Sequence, residues 1–163
     1  MDIITAPQEA DVTDGRESLF IAGGITNCPD WQSEYIELLK GVPGVAYNPR
    51  HPDFDTRDPD ASISQIEWEA DHLMRADAIS FWFTEETLCP ITLYELGQWS
   101  PKRVMYNDDA GEIIGHRRLF IGVHKNYGRR TDVELQTAMI RPEIQIVYSL
   151  QDLARQVRES FEG

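Results

Sequence analysis

The sequence predicts a single α/β domain built on a parallel sheet, and three observations carry that expectation. Short apolar runs alternate with stretches of helical period along most of the 163 residues. The runs are continuously apolar rather than alternating, as in strands covered on both faces. The length suits one core, which a chain of this size fills without disulfide staples.

Residues 1–17 are polar and lack periodicity, so they are expected to form a flexible leader to a domain spanning residues 18–163. Ser18–Gly23 (SLFIAG) reads as the first strand, ending in glycines. Pro29–Lys40 reads as a helix, with Trp31, Tyr35, Leu38 and Leu39 on one face and Gly41 as its stop. Gly44–Asn48 is a second strand, followed by the Pro- and Asp-rich loop Pro49–Ala61, long enough for an active-site rim. Ser62 and Gln65 suggest a capping box opening a helix to about Ala76, with Ile63, Ile66, Ala70, Leu73 and Met74 as its buried stripe. Asp77–Phe83 is a third strand, and Pro90–Trp99 a third helix. Leu119–Val123 is a fourth strand, and Thr131 with Glu134 caps a helix to about Ile140. Ile144–Tyr148 and Leu150–Phe161 supply a last strand and helix. Within residues 101–118 an extra strand at Arg103–Tyr106 and a hairpin turning near Asp109–Gly111 both remain open.

Alternating β and α segments imply a parallel sheet with helices on both faces. Five strands suit a flavodoxin-like three-layer sandwich of order 2-1-3-4-5, whose crevice lies at the carboxyl ends of strands 1 and 3. The loops Gly23–Asn27, Asn48–Ala61, Thr84–Pro90 and His124–Arg130 then carry the function.

Composition narrows the classes of function. The net charge of −13 repels a phosphate backbone and argues against a partner that is a nucleic acid polymer. No apolar run is long enough to span a bilayer, and the acidic N-terminus does not resemble a signal peptide, so a cytoplasmic location is expected. Cys28 and Cys89 are too few for a disulfide framework or a zinc site, and the four histidines lack metal-ligand spacing. The turn AGGIT lacks G-x-G-x-x-G spacing. Neither a metal nor another cofactor is therefore expected. A small ligand is compatible with the charge, and Arg50, Arg129 and Arg130 would suit a phosphate on it.

Glu95, in PITLYELG, lies one turn into the helix after the third strand, where free N–H groups favour a negative charge. Its apolar neighbours Ile91, Leu93, Tyr94 and Leu96 suggest a carboxylate drawn out of bulk water, although spacing alone also allows a solvated helix-face glutamate. In QIEWEADH, helical spacing puts Gln65, Glu69 and His72 on one side with Trp68 adjacent. Two carboxylates from different helices meeting at a crevice suit glycosyl transfer, one attacking the anomeric carbon while another group serves the leaving group. Gly23 and Gly24 allow backbone to approach a ligand, Trp68 or Trp82 is placed to stack on a base, and Cys89 lacks a paired histidine.

Taken together, IAGGI, YNPR, QIEWEADHLMRADAISFWF and PITLYELG resemble the nucleoside 2-deoxyribosyltransferase family and its N-glycoside hydrolase relatives, from about Ser18 to Tyr148. GVHKNYGRRTDVELQ is similar to the segment after the fourth strand in a transferase-like branch. The resemblance implies a double displacement with retention, in which Glu95 matches the nucleophile and Glu69 the acid that contacts the nucleobase. It makes Asn48, Arg50, Trp68 and Cys89 substrate-site candidates and gives Asp77 a structural part. It also implies a homo-oligomer whose neighbouring subunit completes the site through Asn126 or Asp132. Two positions depart from the family: Phe20 stands where a tyrosine is usual, and Cys89 where Asp or Ser is. The expected activity is base exchange on a nucleoside or nucleotide with a free base as acceptor. The alternatives are hydrolysis of such N-glycosides and a nucleotide-binding module without turnover.

Overall fold

The computed structural model describes residues 1–9, 14–54, 57–101, 104–107 and 112–163. The main sheet is entirely parallel and contains β1 (Asp2–Thr5), β2 (Ser18–Gly23), β3 (Val45–Asn48), β4 (Ala78–Phe83) and β7 (Arg118–Val123) in the order β1-β3-β2-β4-β7. A separate antiparallel hairpin joins β5 (Val104–Asn107) to β6 (Glu112–His116), which decides between the two readings of this stretch. The turn expected near Asp109–Gly111 lies outside the described residues.

The helices are α1 (Trp31–Leu38), α2 (Pro59–Arg75), α3 (Pro90–Trp99), α4 (Arg130–Ile140) and α5 (Leu150–Glu162). Alternation along the strands sorts the core into two layers. Phe20, Ala22, Tyr47, Ile79, Phe81, Phe83 and Ile121 face α2, α3 and α4 through Trp68, Leu73, Leu96 and Val133. Leu19, Ile21, Ala46, Ala78 and Trp82 face α1 and α5 through Trp31, Tyr35, Leu153 and Val157. This is the flavodoxin-like three-layer arrangement. Asp77 ties β2 to the amino end of β4, where Oδ2 accepts hydrogen bonds from the Ser18 amide and hydroxyl, each 2.8 Å.

The strand order differs from the expected 2-1-3-4-5 at both edges. The expected fifth strand at Ile144–Tyr148 contributes only a bridge between Val147 and Gly122, held by Val123 N to Val147 O and Val147 N to Ile121 O. Pro142 just before it has no amide to extend the ladder. The opposite edge gains β1, drawn from the segment expected to lead into the domain without structure. Ile3 and Ile4 are half-buried, and pairing with β3 satisfies backbone groups that a bare edge would leave open.

The helix starts and faces also shift. Asp30 caps α1, Asp58 caps α2 with Pro59 in the first turn, and α4 begins after Arg129 without a side-chain cap. Ser62 and Thr131 therefore lie inside their helices rather than at the capping positions. In α2, Ile63, Ile66 and Met74 are 55, 65 and 67% exposed, while Trp68, His72 and Leu73 are buried. The helix is rotated relative to the apolar stripe because Trp68 packs beneath the sheet, beside Phe20 and stacked on His72. Among the described residues, no helix is long and apolar enough to cross a membrane.

Candidate active site

The carboxyl ends of β2 and β4 open onto a cavity of about 420 Å³. Its walls combine Phe20, Ala22 and the turn Gly23–Asn27, the rim residues Pro49, His51 and Phe54, Gln65 and Glu69 of α2, Thr87 and Cys89 before α3, and Pro90, Ile91, Thr92 and Glu95 within it. The lining is mainly apolar, with a few polar groups converging on it, as in sites for small molecules.

Two backbone features shape this cavity. A Cβ at Gly23 would press into the Trp31 ring and lie 2.7 Å from the Trp82 carbonyl, so the β2 turn runs against α1 only as glycine. Gly24 is then held in place because its carbonyl accepts the Trp31 indole N–H at 2.8 Å and the Gln32 amide at 3.3 Å. Beside Gly24, Cys89 precedes α3 in the left-handed region, with φ 47°. That conformation costs a non-glycine residue about 1 kcal/mol. It turns the chain sharply from the Thr84–Leu88 loop into Pro90, at the first helical position.

Glu95, only 8% exposed, is the buried acid of the cavity wall. No hydrogen bond to its carboxylate comes from the described residues. Burial raises its carboxyl to about 8, and the neighbouring Glu69 charge pushes in the same direction. Glu69 is also raised by burial, opposed by its hydrogen bond from Gln65. The Gln65 amide donates to Glu69 Oε1 at 2.7 Å and to the Pro49 carbonyl at 2.8 Å, which fixes the acid against the end of β3. Two carboxyls raised together in one cavity favour states in which they retain a proton between them at neutral pH.

Five of the residues expected from sequence meet here: Gly23, Gly24, Glu69, Cys89 and Glu95. The others lie elsewhere. Asn48 donates to Thr5 Oγ1 and accepts from the Arg50 amide, so it organises the start of the rim loop. Arg50 spends its guanidinium on Gln32 Oε1, the Ile25 and Pro29 carbonyls and Asp30. Trp68 lines a second hollow and donates its indole N–H to Gln8 O, while its ring stacks on His72 at 3.8 Å. Asn126 donates to Glu85, and Asp132 pairs with Arg129 in a groove between α3 and α4. Arg130 is engaged by the Lys125 carbonyl and Glu134. Glu9, Asp71 and His72 come close enough to suggest a metal, but Arg75 pairs with both carboxylates.

The sequence did not single out Thr92, Thr87, His51 and Phe54 as individual lining residues, nor Gln65 as the partner of Glu69. Thr92 was recoverable, since three residues before Glu95 puts it on the same helix face. The rim residues required the path of a loop that has no periodicity to read.

The sequence profile of the family described as nucleoside 2-deoxyribosyltransferase like matches residues 16–106, from just before β2 into β5. The matched stretch includes Glu69 and Glu95. No curated protein is significantly similar to the chain.

Proposed function

The chain belongs to the nucleoside 2-deoxyribosyltransferase-like family, and from that premise we propose that it exchanges bases on nucleosides through a covalent glycosyl ester on Glu95. One observation carries the reading: a buried carboxylate, without a hydrogen-bond partner among the described residues, faces a second carboxyl across a mainly apolar cavity. In the competent state the shared proton resides on Glu69 and Glu95 is ionised. The Glu95 carboxylate attacks the anomeric carbon, and the C–N bonding pair leaves with the base, which takes the Glu69 proton. A second base then enters with Glu69 ionised and attacks the anomeric carbon from the vacated face. It loses its proton to Glu69, and Glu95 departs as the carboxylate. Two inversions give net retention.

Poor solvation makes Glu95 reactive as a nucleophile once it is ionised, because little water has to be stripped from it. Phe20, Phe54, Ile91 and the two prolines Pro49 and Pro90 supply apolar walls against which a base can lie in place of water. These walls favour transfer over hydrolysis. Arg50, Arg129 and Arg130 do not line the cavity, and no other arginine or lysine does so among the described residues. The favoured substrate is therefore a nucleoside rather than a nucleotide.

We also propose a homo-oligomer. The helical layer formed by α2, α3 and α4 exposes Ile63, Ile66, Ile91, Tyr94, Leu135 and Met139, apolar side chains that a second copy of the chain would cover.

Incubation with mixed nucleosides and free bases, followed by mass spectrometry, tests the reaction. New glycosides and a trapped adduct on Glu95 are expected, with exchange abolished in Glu95→Ala. Undiminished exchange by that variant would sink the assignment. Free base without new glycoside would make the protein a hydrolase, and thermal stabilisation without any product would make it a binding module.

A further inference from the structure

The two cysteines, 61 positions apart in sequence, meet beside Gly24, where Cys89 lines the cavity and Cys28 lies behind the lining. A Cβ on Gly24 would lie 2.7 Å from Cys28 Sγ and 2.9 Å from Cys89 Sγ, so the two thiols crowd the space that this glycine leaves empty. Both are free thiols. Their hydrogen bonds are long: Cys28 donates to the Thr26 carbonyl at 3.6 Å and approaches Thr84 Oγ1 at 3.5 Å, while Cys89 donates to the Thr87 carbonyl at 3.5 Å. None of these contacts holds a sulfur firmly in its rotamer, and the turn carrying Cys28 is separate from the helix that follows Cys89. Cys28 is partly exposed, whereas Cys89 is buried and lines the cavity. The pair thus has one sulfur that solvent reaches and a second placed to resolve whatever forms on it.

We propose that Cys28 and Cys89 form a dithiol modification site that reacts with small disulfides such as oxidised glutathione, and that closing it shuts the cavity. The Cys28 thiolate attacks one sulfur of the small disulfide, forming a mixed disulfide and releasing one thiolate. The Cys89 thiolate then attacks Cys28 Sγ and displaces the second thiol. The two protein thiols are oxidised, the small disulfide is reduced to two thiols, and the two protons pass to the displaced thiolates. A sulfur–sulfur bond is about 2 Å long, so both side chains must close over Gly24. The bond then fastens the turn after β2 to the residue preceding α3. Gly24, Thr87 and Cys89 all line the cavity, and Glu95 follows one and a half turns into the same helix. Closure therefore narrows the cavity that the nucleophile lines.

That the cost falls on catalysis rests on the proposed function; the thiol chemistry does not. The test equilibrates the full chain in glutathione buffers of graded poise, quenches by alkylation and maps the peptides. Three readings run in parallel: the cross-link, the rate of base exchange, and thermal stabilisation by a panel of free bases. Under oxidising poise, a peptide pair joining Cys28 to Cys89 is expected, with at least tenfold loss of exchange and loss of base-induced stabilisation. Dithiothreitol restores both. Cys28→Ser, a change outside the cavity lining, keeps the basal rate and becomes insensitive to poise. Two alkylatable cysteines at every poise, separate glutathione adducts without a cross-link, or a cross-link that leaves base binding intact would each overturn the proposal. A chain that cross-links and loses base binding, yet never exchanges bases when reduced, would refute the proposed reaction and leave the dithiol site standing.

Discussion

Replacing Glu95 with glutamine tests the electrostatics of the site without relying on any substrate. The folded protein holds the Glu95 proton up to about pH 8, against a reference of 4.5 in the unfolded chain. Between those values the native state binds one more proton than the unfolded state, so stability falls as pH rises. The contribution is fully present below the unfolded value and lost as pH climbs through the folded one. Each pH unit in that window corresponds to about 1.4 kcal/mol. From pH 5 to 7.5, Glu95 should therefore withdraw about 3 kcal/mol of stability. Glutamine keeps the shape, stays neutral and does not titrate, so the difference between the two proteins isolates this group from other titrations. Urea unfolding at pH 5, 6, 7 and 7.5 gives the comparison, with unchanged m-values showing that both proteins unfold alike. Between pH 5 and pH 7.5, Glu95→Gln should gain about 3 kcal/mol of stability on the wild-type protein. A gap independent of pH would refute the claim that this carboxyl is desolvated.

Because the reaction needs one proton on the pair, on Glu69 with Glu95 ionised, kcat/KM should be bell-shaped, rising with pH as the first proton leaves the pair and falling above about pH 8 as the second leaves. A profile already flat from pH 5 would contradict it. Gly23→Ala should lower stability by about 2–3 kcal/mol through overpacking against Trp31 and the Trp82 carbonyl, measured by urea unfolding. Arg50→Met removes the ties from the guanidinium to Gln32, Ile25, Pro29 and Asp30. It should weaken nucleoside binding through the turn after β2 while leaving unchanged the ratio of affinities for a nucleoside and its 5′-phosphate; collapse of that ratio would make Arg50 a phosphate ligand.

The inner sheet was legible because β2, β4 and β7 are covered on both faces and so appear as unbroken apolar runs. At the sheet edges that signal fades. Asp2–Thr5 has only two isoleucines to identify it, and its strand exists because β3 offers an open edge. Ile144–Tyr148 has the stronger β-like composition, yet it makes a single bridge. In α2 the apolar stripe pointed the wrong way because indole and imidazole rings score as amphipathic in sequence, whereas Trp68 and His72 bury by stacking on each other. Glu69 and Glu95 were visible from spacing and motif. Arg50 was legible as a cation near the crevice, but its side-chain contacts depend on Gln32 and two carbonyls from a separate turn. No local pattern announces such a demand.

The site and the stability of the fold draw on the same residue in opposite senses. At neutral pH, burying Glu95 weakens the native state to the extent that its charge is denied water and faces Glu69. That unfavourable placement also leaves a bare carboxylate in a mainly apolar cavity once its proton departs. Gln65 distinguishes the two acids. It donates a hydrogen bond to Glu69 but none to Glu95, so Glu69 is oriented while Glu95 is left without a competing donor among the described residues. A donor placed on Glu95 would stabilise its charge, lower its carboxyl toward the usual range and blunt its attack. Phe20, which offers no hydroxyl, lines the same cavity and supplies no such donor. A Phe20→Tyr protein whose new hydroxyl reaches Glu95 should therefore shift the rising limb of kcat/KM to lower pH and flatten the pH dependence of stability together. Movement of one without the other would show that the carboxyl governing stability is not the one governing the reaction.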